Sequence, residues 1–245
     1  MSGSAVILIL QSMRRILPVL LVLIGCSNEG GQDPAEISRL DEVAMNEIYL
    51  DYRIHAEEGD DNLNIFLQFR EEDESGRTLV VGEAGKVKLD EEVLEVDSAF
   101  RSGAYYESQK PIASFTGDHV IKLEGPEGVT LEEKFSFYPM LILGGMPDSV
   151  SRQEDLLLQL GGLEAEEFVR VVMTDTSFVN EGINRLDTVK NGQLLIRRAE
   201  FESLAKGPVH LELYREMERP TRSETNAGGR FSLTYVIKRD FILFD

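Results

Sequence analysis

The chain has one cysteine, Cys26, no tryptophan and three histidines among 245 residues. A single cysteine excludes an intramolecular disulfide and any multi-cysteine metal site. Basic residues are in short supply, with 25 Lys and Arg against 44 Asp and Glu and a formal charge of −19. A polyanion would be repelled and no basic stripe offsets the charge, so nucleic acid is excluded as a partner class. No apolar run reaches the about 20 residues that a membrane-spanning helix needs. Hydrophobic residues make up 42% and aromatics 8%, a mixture that excludes collagen-like, coiled-coil and wholly disordered chains. H-E-x-x-H, G-x-S-x-G, G-x-G-x-x-G and the P-loop are all missing, so no motif commits the chain to a reaction.

What is present is concentrated at the amino terminus. Met13-Arg14-Arg15 supplies a positive start, and Ile16 to Gly25 (ILPVLLVLIG) follows as an apolar run of ten. That order, basic and then briefly apolar, is the pattern of an export signal. Residues 1–12 put a second apolar stretch before the arginines, which is not how such a signal is arranged, and translation is expected to start at Met13. The run ends in Leu23-Ile24-Gly25-Cys26. This ending resembles the lipobox of bacterial lipoproteins, with Leu three positions before the cysteine and a small residue just before it. The resemblance implies cleavage between Gly25 and Cys26, a diacylglyceryl group on the Cys26 sulfur, and an acylated (palmitate-type) new amino terminus.

A physical consequence follows from that resemblance. Two or more acyl chains anchor a protein stably, at about 0.8 kcal/mol per buried CH₂. From Cys26 onward there are 23 basic and 44 acidic residues, a formal charge of −21. Anionic headgroups would not attract such a body, so the lipid must do the holding. Ser27 follows the cysteine, where an Asp favours inner-membrane retention in enterobacterial lipoproteins. Its absence implies an outer-membrane address, facing the periplasm or the cell surface.

Residues 27–36 (SNEGGQDPAE) read as a flexible tether. From Glu47 the hydrophobic period becomes two. Ile48, Leu50, Tyr52 and Ile54 share one face, as do Ile65, Leu67 and Phe69. Further short strands are predicted at 78–81, 86–89, 104–107, 120–123 and 131–138, the last with Leu131, Glu133, Phe135 and Phe137 on one face. A boundary is expected near Pro139–Pro147. The second half repeats the strategy, with strands at 155–160, 168–174, 193–197, 209–215 and 231–244 and a helical turn at 199–204. Gly161-Gly162 argues for two strands and a loop over 155–170, where DLLLQL and LEAEEF have helix-forming composition. The predicted fold is all-β, two antiparallel immunoglobulin-like β-sandwich domains in tandem. The domains are expected as signal peptide 1–25, lipidated tether 26–40, first sandwich 41–140 and second sandwich 141–245.

Candidate chemistry is sparse. His55, His119 and His210 lack metal-ligand spacing, which favours isolated histidines on sheet faces or at a strand start. Glu57, Glu58, Asp60 and Asp61, then residues 71–74 and 90–92, form acidic turns without the EF-hand order, which favours solvated turns over calcium sites. Ser203-Leu204-Ala205-Lys206 matches S-x-x-K, but S-D-N and K-T-G are missing, and Lys206 before Gly207 reads as the end of a helical turn. In Tyr105-Tyr106, alternation should bury one ring and expose the other. No catalytic residue, metal ligand or cofactor is predicted. The lipobox and the all-β pattern together are similar to lipoproteins of Gram-negative bacteria, Bacteroidota in particular. That implies a lipid-anchored envelope protein, not an enzyme, binding an unknown protein or glycan or serving as a structural component. The alternatives are a glycan-binding accessory protein, a secreted hydrolase, or a subunit of an outer-membrane complex, the last favoured by an exposed apolar patch.

Overall fold

The structure is a computed structural model and describes residues 37–99, 101–164, 166–177 and 181–245. The described residues form eighteen strands. The first ten are β1 (Ile37–Arg39), β2 (Ile48–Glu57), β3 (Asn62–Glu71), β4 (Thr78–Val80), β5 (Lys86–Leu89), β6 (Glu92–Leu94), β7 (Val96–Ala99), β8 (Gly103–Pro111), β9 (Gly117–Glu124) and β10 (Thr130–Phe137). Then come β11 (Leu141–Leu143), β12 (Ser149–Ser151), β13 (Leu156–Gly161), β14 (Phe168–Asp175), β15 (Ile183–Thr188) and β16 (Gln193–Ile196). A short helix, α1 (Arg198–Phe201), precedes β17 (Gly207–Pro220) and β18 (Gly229–Phe244).

Alternation dictates these elements. Ile48, Leu50, Tyr52 and Ile54 of β2 are buried, as are Ile65, Leu67 and Phe69 of β3. Large side chains of this kind contribute about 1.5–3 kcal/mol each when fully buried. The same rule carries through β13, where Leu156, Leu158 and Leu160 point inward. The run from 155 to 170 is two strands and a loop, as Gly161-Gly162 predicts. Gly162 has φ +76°, and a Cβ there would lie 2.0 Å from the Pro139 carbonyl oxygen. No side chain fits that approach.

The spine is the β17–β18 hairpin, paired without a break from Gly207 opposite Leu243 to Pro220 opposite Arg230. One eleven-stranded sheet runs β1-β4-β3-β2-β18-β17-β14-β15, with β7, β8 and β12 attached to it. A four-stranded sheet, β10-β9-β5-β6, and a three-stranded sheet, β11-β13-β16, complete the fold. Both small sheets share the core of the large one. Phe135 of β10 lies 5.3 Å from the Phe231 ring of β18, and Phe137 lies 6.2 Å from Tyr235. At the other end of the hairpin, Phe201 of α1 packs 6.4 Å from Phe241. The fold is therefore all-β, three sheets packed on one core, as the alternation predicts.

Two features differ from a plain tandem arrangement. First, a strand break does fall near the expected boundary, between Phe137 and Leu141, but the sheet behind it is continuous. Residues 229–236 of β18 pair with residues 50–57 of β2, while residues 242–244 pair with β12. Second, both of those pairings are parallel, as is β1 with β4. β17 covers one edge of β18, and β2 and β12 share the other. The folded body also starts before residue 41, because β1 pairs with β4 and Leu40 is fully buried.

Candidate functional site

Leu23, Ile24, Gly25 and Cys26, the residues of the lipobox resemblance, lie outside the described residues. The three histidines are described, and they lie in three different places. His55 projects outward from β2 opposite Asn64. His119 of β9 contacts Asp90 through Nδ1 at 3.0 Å and the Phe115 carbonyl through Nε2 at 2.9 Å, with its ring stacked on Phe115. His210 of β17 faces Asp240 at 2.8 Å across the hairpin, with Glu212 at 3.3 Å. Among the described residues no group of three or more His, Cys, Asp or Glu is arranged to hold a metal ion.

His210 carries a pH prediction. Its hydrogen bond to Asp240, helped by Glu212, outweighs desolvation and raises its pKa above the ordinary 6.5. A raised pKa in the folded state stabilises the protein fully below the unfolded value and loses that contribution as pH climbs through the folded one. The thermal midpoint of wild type should therefore fall, relative to His210→Gln, between acid conditions below pH 6.5 and alkaline conditions. Parallel pH profiles for the two proteins would refute it.

The acidic turns are more engaged than solvated turns would be. Glu57 pairs with Lys238 at 2.6 Å, Glu58 with Arg239 at 2.5 Å, Glu91 with Lys122 at 3.3 Å, and Glu92 with Lys110. Pairs this exposed contribute at most about 1 kcal/mol each. Ser203 donates to the Glu200 carbonyl at 2.8 Å, and Lys206 pairs with Asp245, so each half of the S-x-x-K match has another partner. Tyr106 is buried and accepts the Val81 N–H at 2.9 Å, whereas Tyr105 faces out and stacks on Phe66 at 5.1 Å. The alternation argument predicted that division.

The first concave region lies along β10. Two hollows of about 420 and 550 Å³ meet at Phe135, Ser136 and Arg222. Behind them, β10 alternation turns Glu133 inward beside Phe135 and Phe137, with no exposed surface at all. A buried carboxylate demands partners. It accepts from the Arg219 guanidinium at 2.7 Å and from the Arg222 backbone N–H at 2.6 Å. Arg219 lies over the Phe231 ring at 4.4 Å and also donates to the Lys134 carbonyl at 3.3 Å. Ser223 donates to the Glu132 carbonyl at 2.7 Å. In the second hollow, buried Arg215 pairs with Glu167 and donates to the Tyr138 carbonyl at 2.9 Å and the Gly162 carbonyl at 3.1 Å. The cations Arg215 and Arg219 are thus committed to internal partners, and this region works as a joint between strands.

The second region is the flank made by β11, β13, β15 and β16. Four leucines stand on its outer face: Leu141, Leu143, Leu157 and Leu195, exposed by 45%, 49%, 54% and 40%. Leu157 and Leu195 are direct cross-strand neighbours. Beside them lies a hollow of about 660 Å³ lined by Leu157, Leu195, Arg185, Asp187, Lys190 and Arg197 among others. Arg185 is held by Asp187, by Glu200 at 2.5 Å and by the Leu195 carbonyl at 3.0 Å. The side-chain cations of Lys190 and Arg197 have no carboxylate partner among the described residues, although the Arg197 backbone N–H donates to Glu200 at 2.8 Å. Four water-facing leucines on a three-stranded sheet are not what a solvated sheet face carries, and such patches mark interaction surfaces. The sequence held the signal in a weak form: DLLLQL and QLLI place leucines on both faces of their strands.

No protein-family model matches the chain, and no curated protein does. The solved structures similar to it include two all-β proteins. The IG1 and IG2 region of DIP-gamma is 11% identical, covers 80% of this chain and 95% of its own, and has a TM-score of 0.24. The fibronectin(III)-like modules of Clostridium thermocellum CbhA are 11% identical, cover 78% of this chain and 93% of their own, and have a TM-score of 0.21. Likeness at that distance carries no argument about function.

Proposed function

We propose that the chain is a lipid-anchored protein of a bacterial cell envelope, held through Cys26 and acting as a non-catalytic binding component. The observation that carries the binding reading is the leucine face of β11, β13 and β16. Its occupant is the apolar surface of a partner protein. A body with a formal charge of −21 from Cys26 onward is repelled by anionic headgroups, so the patch is not a second membrane contact. The same face favours membership of an outer-membrane complex over a solitary glycan binder or hydrolase.

Two variants test the reading. Cys26→Ala should release the protein from the membrane fraction or leave it unprocessed; full retention with normal cleavage would overturn the anchor. Leu157→Asp adds a charge at a half-exposed site, where surface substitutions cost about 0.5 kcal/mol or less. It should abolish co-purification of the partner from native membranes while thermal stability holds. A partner retained by Leu157→Asp would overturn the docking face.

A further inference from the structure

The open edges of the three sheets are not equally protected. β10 is eight residues long, but Ser223 and Arg219 occupy its Glu132 and Lys134 carbonyls. β1, β6, β11 and β12 are three residues each and β7 is four. β16 is four residues, and its Leu195 carbonyl accepts from Arg185. β15 is the exception among these terminal strands. It runs for six residues, INRLDT, at the end of the eleven-stranded sheet, and among the described residues no strand pairs with its outer edge. It has neither proline nor lysine, and of the devices that blunt such edges it keeps only an inward-facing ion pair, Arg185 with Asp187.

We infer that β15 accepts an added strand from a partner protein, an extended segment in which acidic and apolar residues alternate. Strand addition draws affinity from main-chain hydrogen bonds and specificity from alternate side chains. On one side an added strand faces the 660 Å³ hollow, where the side-chain cations of Lys190 and Arg197 lack carboxylate partners and Arg185 is already neutralised. Acidic side chains fit there. On the other side lie Leu186, 56% exposed, and Phe168, 54% exposed, on the outer sheet face. Apolar side chains fit there. A second copy of this chain is the poorer occupant, because two bodies of formal charge −21 repel each other.

The inference rests on the flank being the binding surface, and it adds the partner's chemistry. Its test uses two labelled octapeptides, one alternating Val with Glu and one alternating Val with Lys, titrated into the purified chain by fluorescence anisotropy. The Val/Glu peptide should bind at least about tenfold more tightly, a difference of 1.4 kcal/mol. Lys190→Glu with Arg197→Glu, both at exposed positions, should reverse the preference. Amide exchange at 183–188 should slow when the Val/Glu peptide is bound. Equal or absent binding of the two peptides, indifference to the charge reversal, or protection elsewhere would each overturn strand addition. A dimer lost on Leu186→Lys would also overturn it, in favour of self-pairing. If Leu157→Asp still abolishes partner capture while the Val/Glu peptide fails to bind, strand addition alone falls. If neither result is obtained, the flank itself falls.

Discussion

Replacing Glu133 with Ala is expected to cost about 3 kcal/mol and to lower the thermal midpoint by about 6–12 °C. The carboxylate is fully buried and neutralises Arg219 inside the sandwich. Its removal leaves a guanidinium against the Phe231 ring without its counter-charge and leaves the Arg222 N–H without its acceptor. Arg219 is one-quarter exposed and can turn toward water, which holds the expected cost at the low end for a broken buried pair. A second effect separates this account from simple loss of packing. Arg219 also occupies the Lys134 carbonyl on the open edge of β10, so loosening it uncovers strand edge. Glu133→Ala should therefore scatter light on mild heating at temperatures where wild type stays clear. A midpoint within a degree of wild type, measured by circular dichroism, would show that the carboxylate is dispensable.

Arg215→Ala is expected to cost about 3–5 kcal/mol. Arg215 is 6% exposed and reaches three acceptors, Glu167 and the carbonyls of Tyr138 and Gly162. Truncation strands a carboxylate that is itself largely buried, together with two carbonyl oxygens. The double variant Arg215→Met with Glu167→Leu should be less destabilised than Arg215→Ala alone, although it changes more atoms. It removes both charges from the low-dielectric interior and refills their volume with apolar groups. The two carbonyls remain unpaired in it, so it should not reach wild-type stability. Chemical denaturation of the three proteins decides the order, and a double variant weaker than Arg215→Ala would contradict the desolvation argument.

Much of the strand pattern was legible because burial and alternation are the same statement in a sheet. Phe135, Phe137, Leu211 and Leu213 announce their face by spacing alone. Glu133 sat on the inward face by the same count, yet nothing local identifies Arg219 and Arg222 as its partners, 86 and 89 residues away. β15 was missed because its inward positions include Arg185 and Asp187, which are half-buried as an ion pair where hydrophobes would mark a strand. The parallel pairing of β18 with β2 could not be read either, since alternation specifies which face is buried and is silent about which neighbour lies alongside. The leucine flank was visible only as leucines on both faces of β13 and β16, a pattern that also fits helix.

The closing hairpin has a consequence for when the molecule can exist. β2 leaves the ribosome early, but the strand that lies parallel to it spans residues 229–244, at the far end of the chain. Until those residues are made, β2 has β3 on one edge and no strand on the other. The contact that joins the two ends of the chain is therefore the last one that synthesis makes possible.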